Sequence, residues 1–567
     1  MYVRTIPQRK TGHRAVQVVE SYRNAEGKPR QRVIAYLGCV PPGPALDELL
    51  RLAELRRAEE LERHQRHALF PARTLAEAAF RARHEDREGE PLPIADARRL
   101  REEQRVVLGI HEVFGALYSR LGLSEAWGPG ARKSEAVFRQ AVLLRLAEPG
   151  RSKRAHALRL SRDYGAEVEL GKFYRMMDRL DARRIGALCG RVHNEVSLLL
   201  DGRVDVAFLD VTTLAFAAEH DDDLRRKGYS KDGKPHRVQV VLALLQTTEG
   251  LPLGYRLFAG NTAEVKTLRP MAKELRARYP VRRLVVVTDA AMASRENLAM
   301  LTREGFDWVV AARLRRLPER ELQTVEEKLA AVRAVSGEAS GSGPAAGEEG
   351  WLAEHTVPSG PMKGRRLVIH ASPKRARKDA RDRARALDRA RKRLTAGVKG
   401  RGRAGRFIRV KEGALSINDD AVTRDARFDG LHGLWTSLDD PAPEIRAHYA
   451  ELWRIEHGFR VLKHTLAVRP IFHWTERRVR AHIAICFLAF ALLRIFRWRH
   501  GRKHPETPLL SEDRILDELT HVEASVVLDA GSHKRYLLPS SSNAEQRSLY
   551  ATADLKIPRQ TVRYFPP

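Results

Sequence analysis

The stretch VDVAFLDVTTLAF, Val204 to Phe216, decides the fold. It is β-branched and apolar on both faces, the pattern of a central strand covered on either side. Only Asp210 interrupts its middle. Side chains alternate along a strand, so Phe208, Asp210 and Thr212 share one face and Leu209 and Val211 the other. A carboxylate buried there is costly unless a cation meets it. Two more strands follow, RVQVVLALLQTT (237–248) and LPLGYRLFAG (251–260), with Glu249-Gly250 between them as a hairpin turn. The helical EVKTLRPMAKELRARY (264–279) comes next, and then VRRLVVVTDAAM, a fourth buried strand ending at Asp289. Three meandering strands, a helix and another strand make an α+β sheet layer.

The flanks divide by pattern. Residues 1–43 read as a small β-meander, with NAEGK as a turn. Residues 44–200 are mostly helical and charged. Within them, AVFRQAVLLRLAEPGRSKRAHALRLS (136–161) suggests two helices broken at Pro149-Gly150, with Ser152 as N-cap. A DNA-gripping helix-turn-helix and a plain helical hairpin both fit it. Beyond 201–312, the segment 313–440 holds the Gly/Ser stretch SGEASGSGPAAGEEG (336–350), a mixed-charge helix (374–393), and GRFIRVKEGALSINDDAVTRDARFDGLHGLW (405–435), read as short strands. A long helical pattern starts near Pro443, bends at Pro470 and reaches about Trp498, within a segment 441–500. The remainder, 501–567, contains the helix SEDRILDELT and two candidate strands.

Composition narrows the class. The 567 residues are 43% apolar, and the net charge is +30 from 102 basic and 72 acidic residues. That length suggests about three or four domains. The basic excess favours nucleic acid over an anionic membrane surface, since no basic amphipathic helix stands out. The three cysteines, Cys39, Cys189 and Cys486, have no zinc-like spacing. The N-terminus MYVRTIPQRK has no apolar core for export. AICFLAFALL (484–493) is 10 residues long, half of the ~20 a bilayer needs, so it reads as a buried core helix of a soluble, cytoplasmic protein.

The third carboxylate comes from YAELWRIEHGFRVLKHTL, Tyr449 to Leu466. Tyr449, Glu456 and Lys463 are spaced by seven, so on an α-helix they form one row that drifts only about 20° per step. Leu452, Ile455, Phe459, Leu462 and Leu466 form an adjacent apolar stripe. Asp210, Asp289 and Glu456 would bring three hard oxygen ligands together, suited to Mg²⁺ or Mn²⁺ rather than Zn²⁺. Two such ions, about 3.5–4 Å apart, activate a water or 3′-OH in phosphodiester chemistry. The plain alternatives are a hydrogen-bonded core Asp210, a turn residue at Asp289, and an ion pair from Glu456 to Arg460. Asp221 to Asp223 read as a solvated loop. GYSKDGKPHRVQ (228–239) and the Lys227 just before it place Lys227, Lys231, Lys234 and Arg237 near the first strand, as a phosphate-gripping loop or a solvated basic turn.

This order of motifs resembles the DDE transposases of the IS4-like superfamily, of the IS1634 insertion-sequence type. FLDVTTLAF, GYSKDGKPHRVQVVLALL, GLPLGYRLFAGNTAEVKTL, VVVTDAAMASRENL, YAELWRIEHGFRVLK and RPIFHWTERRVRAHIAICFLA follow the family's sequence, and the opening YVRTIPQRKTGHRAVQVVESYR resembles its N-terminus. The resemblance implies an α+β fold with an RNase H-like catalytic core, in which a β-rich insertion separates 201–312 from 441–500. It makes 44–200 a region for binding DNA ends. It also implies two metal ions per site, DNA substrates in the form of terminal inverted repeats and a target, and a homodimer on DNA. By motif position the catalytic carboxylates fall on Asp210, Asp289 and Glu456. The family's Y-R-E-K signature falls on Tyr449, Glu456 and Lys463, with Leu452 at the Arg position and Arg454 nearby; Arg460 flanks the row. Ala291 stands where the family often has Gly. An aromatic that holds a flipped base would be Trp351 or Trp435, although each reads first as a core residue. Two rivals remain: a nuclease without strand transfer, and an inactive DNA-binding regulator.

Overall fold

The computed structural model describes residues 1–8, 11–24, 28–64, 99–202, 204, 206–216, 221–228, 237–263, 266–278, 285–288, 290, 294–335, 350–358, 363–396, 404–411, 414–469, 471–531 and 533–564. The chain forms two compact units. One comprises Met1–Val106, Glu523–Ser541 and Pro558–Pro567, and the other Val107–Val522 and Ser542–Ile557.

The first unit opens with the expected meander of β1 (Tyr2–Pro7), β2 (Arg14–Arg23) and β3 (Pro29–Val40), antiparallel in that order. The alternation in RAVQVV points Val16 and Val18 inward, where they pack with Leu46 and Ala53 of the helix Pro44–His64. A strand, β4 (Leu100–Val107), then departs from the helical reading of 44–200. Its sequence LREEQRVV is too charged to show strand periodicity by itself, and its pairing comes from the other end of the chain.

The second unit is built on a mixed sheet. Its strands are β5 (Val206–Ala215), β6 (Arg226–Lys227), β7 (Val238–Thr247), β8 (Pro252–Ala259), β9 (Val285–Thr288), β10 (Asp307–Ala312), β11 (Trp351–Thr356), β12 (Arg366–Ala371) and β15 (Leu431–Thr436). The order is β11-β12-β15-β10-β9-β5-β7, with β6 and β8 on successive stretches of the free edge of β7. β5, β7 and β8 form the antiparallel meander read from sequence, closed by the Glu249-Gly250 turn. β9 lies parallel to β5, and β10 parallel to β9. This mixed sheet flanked by helices is the RNase H-like core.

The inserted segment differs from expectation in two respects. β15 pairs antiparallel with β10, and β12 and β11 follow, so most of its β structure extends the central sheet. Only the hairpin β13 (Ile408–Lys411) and β14 (Ala414–Ile417) stands apart, packed with the helix Pro373–Thr395 around Phe407, Ile408, Ala386 and Ala390. NDDAVTRDA, read as strand and turn, is the helix Asp419–Ala426. Asn418 caps it by accepting the Ala421 N–H at 3.2 Å, and Asp419 and Asp420 favour its positive end. The Gly/Ser stretch 336–349 lies outside the described residues.

Helices at 109–120, 132–147, 170–179 and 182–199 pack on the helix Glu476–Lys503, which also lies on β8. Thr475 caps that helix, and its run from Ile483 to Leu493 is buried all round, so a stretch apolar enough for a bilayer is instead the hub of the core. Phe487 stacks with Tyr255 of β8 at 4.6 Å, and Phe496 with Phe114 at 5.2 Å. The break at Pro149-Gly150 and the Ser152 cap are present as read, with Ser152 Oγ accepting the Ala155 N–H at 3.2 Å.

The chain end closes the first unit: β16 (Glu523–Asp529), β17 (Arg535–Pro539) and β18 (Val562–Arg563) form a sheet with β4 in the order β18-β17-β16-β4. The residues 501–567 thus divide between the two units rather than forming one region.

Candidate active site

Asp210 sits at mid-strand in β5, between antiparallel β7 and parallel β9. Its neighbours Leu209 and Val211 are each 1% exposed, while Asp210 itself is half-buried, so it opens to solvent from a sealed strand. Its Oδ1 accepts the Val211 N–H at 2.7 Å. The register pairs Phe208 with Val287, which brings Thr288, the end of β9, level with Leu209. Asp289 follows Thr288 in the sequence and lies outside the described residues, as do Ala291, Lys231 and Lys234.

Glu456 reaches this sheet from the helix Trp453–Arg460, which packs against β5 and β7. Two contacts seat that helix. Gly458 lies directly on Gln246 of β7, where an added Cβ would stand 2.0 Å from its amide nitrogen. His457 faces a buried ion pair in which Arg494 holds Glu512 at 2.5 Å and donates to the Gly250 carbonyl at 2.9 Å, at the β7–β8 turn. Glu456 is exposed, and among the described residues it makes no ion pair or hydrogen bond. Arg460 is exposed and does not pair with it among those residues, while Arg454 pairs with Glu451 instead. The sequence alternative of a surface ion pair is therefore not formed.

The single helical row is corrected. One helix ends at Ala450, and a tight turn follows through the i to i+3 bonds Leu452 N–H to Tyr449 C=O and Ile455 N–H to Leu452 C=O. After Arg460 the chain widens into a π-turn, Val461–Thr465, closed by Leu466 N–H to Val461 C=O. Such turns shift the phase of side chains and concentrate at functional sites. The apolar stripe survives these changes, with Leu452, Ile455, Phe459, Leu462 and Leu466 all buried. Leu452 is thus a core residue and cannot present a phosphate-binding group. Tyr449 is half-buried and stacks on His432 at 5.0 Å. Lys463 is half-buried on the π-turn, and Arg237 is exposed where β7 begins. Arg454 lines a cleft of about 320 Å³ with Arg494, Arg497 and Trp498 beside the β7–β8 turn. Trp435 is a core residue, and Trp351 packs against the same core. Asp222, read as solvated, instead holds a turn, accepting from Leu224 and Arg225 N–H and from the buried Arg225 guanidinium.

Sequence reasoning missed Gly458, Gln246, Arg494 and Glu512, the residues that seat the Glu456 helix. A glycine two residues after the acidic residue, inside an amphipathic helix, was the one local signal. Replacing Gly458 with alanine is expected to push the Glu456 helix off β7, because Gln246 is fully buried and has little room to yield. Overpacking of this kind costs about 1–3 kcal/mol. A lowered Tm together with weakened DNA cleavage would show it; an unchanged Tm would mean that Gln246 moves freely.

Burial alone would raise the Glu512 carboxyl, but Arg494 and Arg497 outweigh it and hold Glu512 below its ordinary value of 4.5. A depressed folded pKa gives stability that is present above the unfolded value and lost as pH falls below it. Thermal stability is therefore expected to drop below about pH 4.5, with part of that drop missing in Glu512→Gln, as a paired pH series of melts would reveal.

Among the described residues no group of three or more His, Cys, Asp or Glu side chains converges as a metal cage. The two described carboxylates nonetheless suit hard cations. Both are oxygen donors, both are open to solvent, and Glu456 is uncommitted to any described partner.

The family described as "Transposase DDE domain" matches residues 205–492. The "IS1634 family transposase, N-terminal domain" matches residues 3–66. Among solved structures, the chain is similar to a piggyBac transposase synaptic complex with hairpin DNA, at 12% identity and a TM-score of 0.36, over 73% of this chain and 76% of that one. It is also similar to a Mos1 mariner paired-end complex with Mn, at 11% identity and a TM-score of 0.14, over 53% of this chain and 85% of that one. No curated protein matches.

Proposed function

The chain belongs to the DDE-domain transposases, and we propose that it cuts and joins DNA at the ends of its own insertion sequence through Asp210, Asp289 and Glu456. The carrying observation is the approach of the Glu456 helix to the strand of Asp210, from a part of the chain 246 positions later (456 − 210). In sequence, Asp289 follows Thr288, the last residue of the strand that runs parallel to β5.

In this reading the three carboxylates hold two Mg²⁺ or Mn²⁺ ions, which when bound activate a water or 3′-OH and stabilise the leaving oxygen. The protein's own part is placement. β5 fixes Asp210 between buried neighbours, and the Val211 N–H bond orients its carboxylate. Gly458 and His457 set the height of Glu456 above the sheet. Tyr449 and Lys463 hold phosphates of the DNA end, Lys463 as a point charge. Arg454 and Arg460 flank this track, and Lys231, Lys234 and Arg237 grip phosphate near the first strand. With Leu452 in the core and Arg454 turned to Glu451, the row lacks a central arginine. The region 44–200 binds the terminal inverted repeats, 201–312 and 441–500 carry the catalysis, and two copies pair two ends in the cytoplasm, on the nucleoid.

The test uses a pre-cut duplex bearing the inverted repeat that brackets the reading frame. Mg²⁺-dependent joining of its 3′-OH to a second duplex is expected. Cutting without joining would assign the chain to the nucleases.

A further inference from the structure

A second cluster of side chains lies away from the carboxylates, where the turn Glu148–Ser152 meets the segment after Lys463. Arg145, Gly150, Arg151, Ser152, Lys153, Tyr174, Ala467, Phe472, His473 and His482 line a cavity of about 80 Å³ there. At ~30 Å³ per water, that space holds two or three waters or one tetrahedral oxyanion.

The charge in this cavity is one-sided. Lys153 is 4% exposed and Arg145 2%. Among the described residues the Lys153 ammonium has no hydrogen-bond partner, and Arg145 has one bond, to the Ala467 carbonyl at 3.4 Å, with its Nε unpaired. No carboxylate lines the cavity among the described residues. Glu148, in the adjoining turn, is engaged with Arg151 and Arg159, and Asp178 with Arg478. The helix Lys153–Tyr164 aims its positive end at the same place and has no acidic residue in its first turn. His156 and His482 each spend one ring nitrogen on a backbone carbonyl and keep the other unpaired among the described residues. Burial, and then Arg145, push the Lys153 ammonium down to about 7. Two cations buried side by side without an anion are costly, and they are best explained by a ligand that brings the missing charge.

We infer that Arg145, Lys153 and the Ser152 helix end form a socket for one phosphate group, presented by a DNA backbone phosphodiester. The location favours the backbone. The socket begins four residues beyond Lys463 (467 − 463), and its rim carries Arg151 and Phe472, which is 59% exposed. The inference rests on the transposase reading for the identity of the DNA, but not for the phosphate.

The test compares the full chain with Lys153→Met in two assays. In melts with added inorganic phosphate, the parent is expected to gain Tm and the variant to gain none. Without phosphate, the variant is expected to melt no lower than the parent, because it removes an unpaired buried charge. In duplex binding across a salt series, the variant is expected to weaken binding to all sequences alike, with a log–log slope shallower by about one. A variant that melts lower and keeps both the phosphate response and the slope would overturn the socket. Loss of the phosphate response with an unchanged slope would overturn the assignment to DNA. A parent that binds no duplex but responds to phosphate would sink the transposase reading and leave the socket standing.

Discussion

Asp210→Ala is expected to abolish DNA cleavage while leaving duplex binding intact. Removing one anchoring carboxylate forfeits several kcal/mol of charge stabilisation, and at 1.36 kcal/mol per decade a loss of ~4 kcal/mol is about a thousandfold in rate. Asp210 is half-buried, and β5 pairs with β7 and β9 through its backbone, so removal of the side chain leaves the sheet's register in place. Glu456→Gln should match it in cleavage, because Glu456 is exposed and makes no structural contact among the described residues. A single-turnover nicking assay with Mg²⁺, beside a gel-shift, reads both. Cleavage within tenfold of the parent in either variant would remove that residue from the catalytic set.

The second large effect is on stability. Arg494→Ala is expected to lower stability by about 3–5 kcal/mol, since it strips the buried Glu512 of its hydrogen-bonded counter-charge and leaves only Arg497 at 3.8 Å and His457 at 3.9 Å. Both partners are 5% exposed, and the same guanidinium holds the β7–β8 turn through Gly250. The defect should reach the site as well, because His457 sits against this pair, one residue from Glu456. Replacing both partners with Arg494→Met and Glu512→Leu should recover much of the stability. Urea denaturation of the single and double variants decides it; equal losses in both would mean that the pair contributes through packing rather than charge.

How much of this was legible follows from where each signal resides. The strand VDVAFLDVTTLAF, the β7–β8 hairpin and the Ser152 cap are local patterns, and each folds as its residues dictate. The stripe from Leu452 to Leu466 also held, because burial follows side-chain chemistry even where the helix is interrupted. The interruption itself was not visible. The turn at Glu451-Leu452 and the π-turn at Val461–Thr465 arise where the chain must fit β5 and β7, and nothing in YAELWRIEHGFRVLKHTL marks them. The pairing of β15 with β10 and the strand β4 were missed for a related reason, since the partners lie far away in sequence. The helix after Asn418 was readable from its cap and acidic first turn, and the strand-like residues around it hid that signal. Lys153 and Arg145 looked like ordinary helical bases. Only the fold shows that they are buried together.

The most direct test of the three-carboxylate account is a crystal structure of the DNA-bound chain soaked with Mn²⁺, read by its anomalous signal. Two peaks are expected, with carboxylate oxygens of Asp210, Asp289 and Glu456 at about 2.0–2.2 Å, near the distance hard divalent ions adopt. Mn²⁺ bound elsewhere on the DNA-engaged chain, with the Glu456 carboxylate turned away from it, would contradict the account.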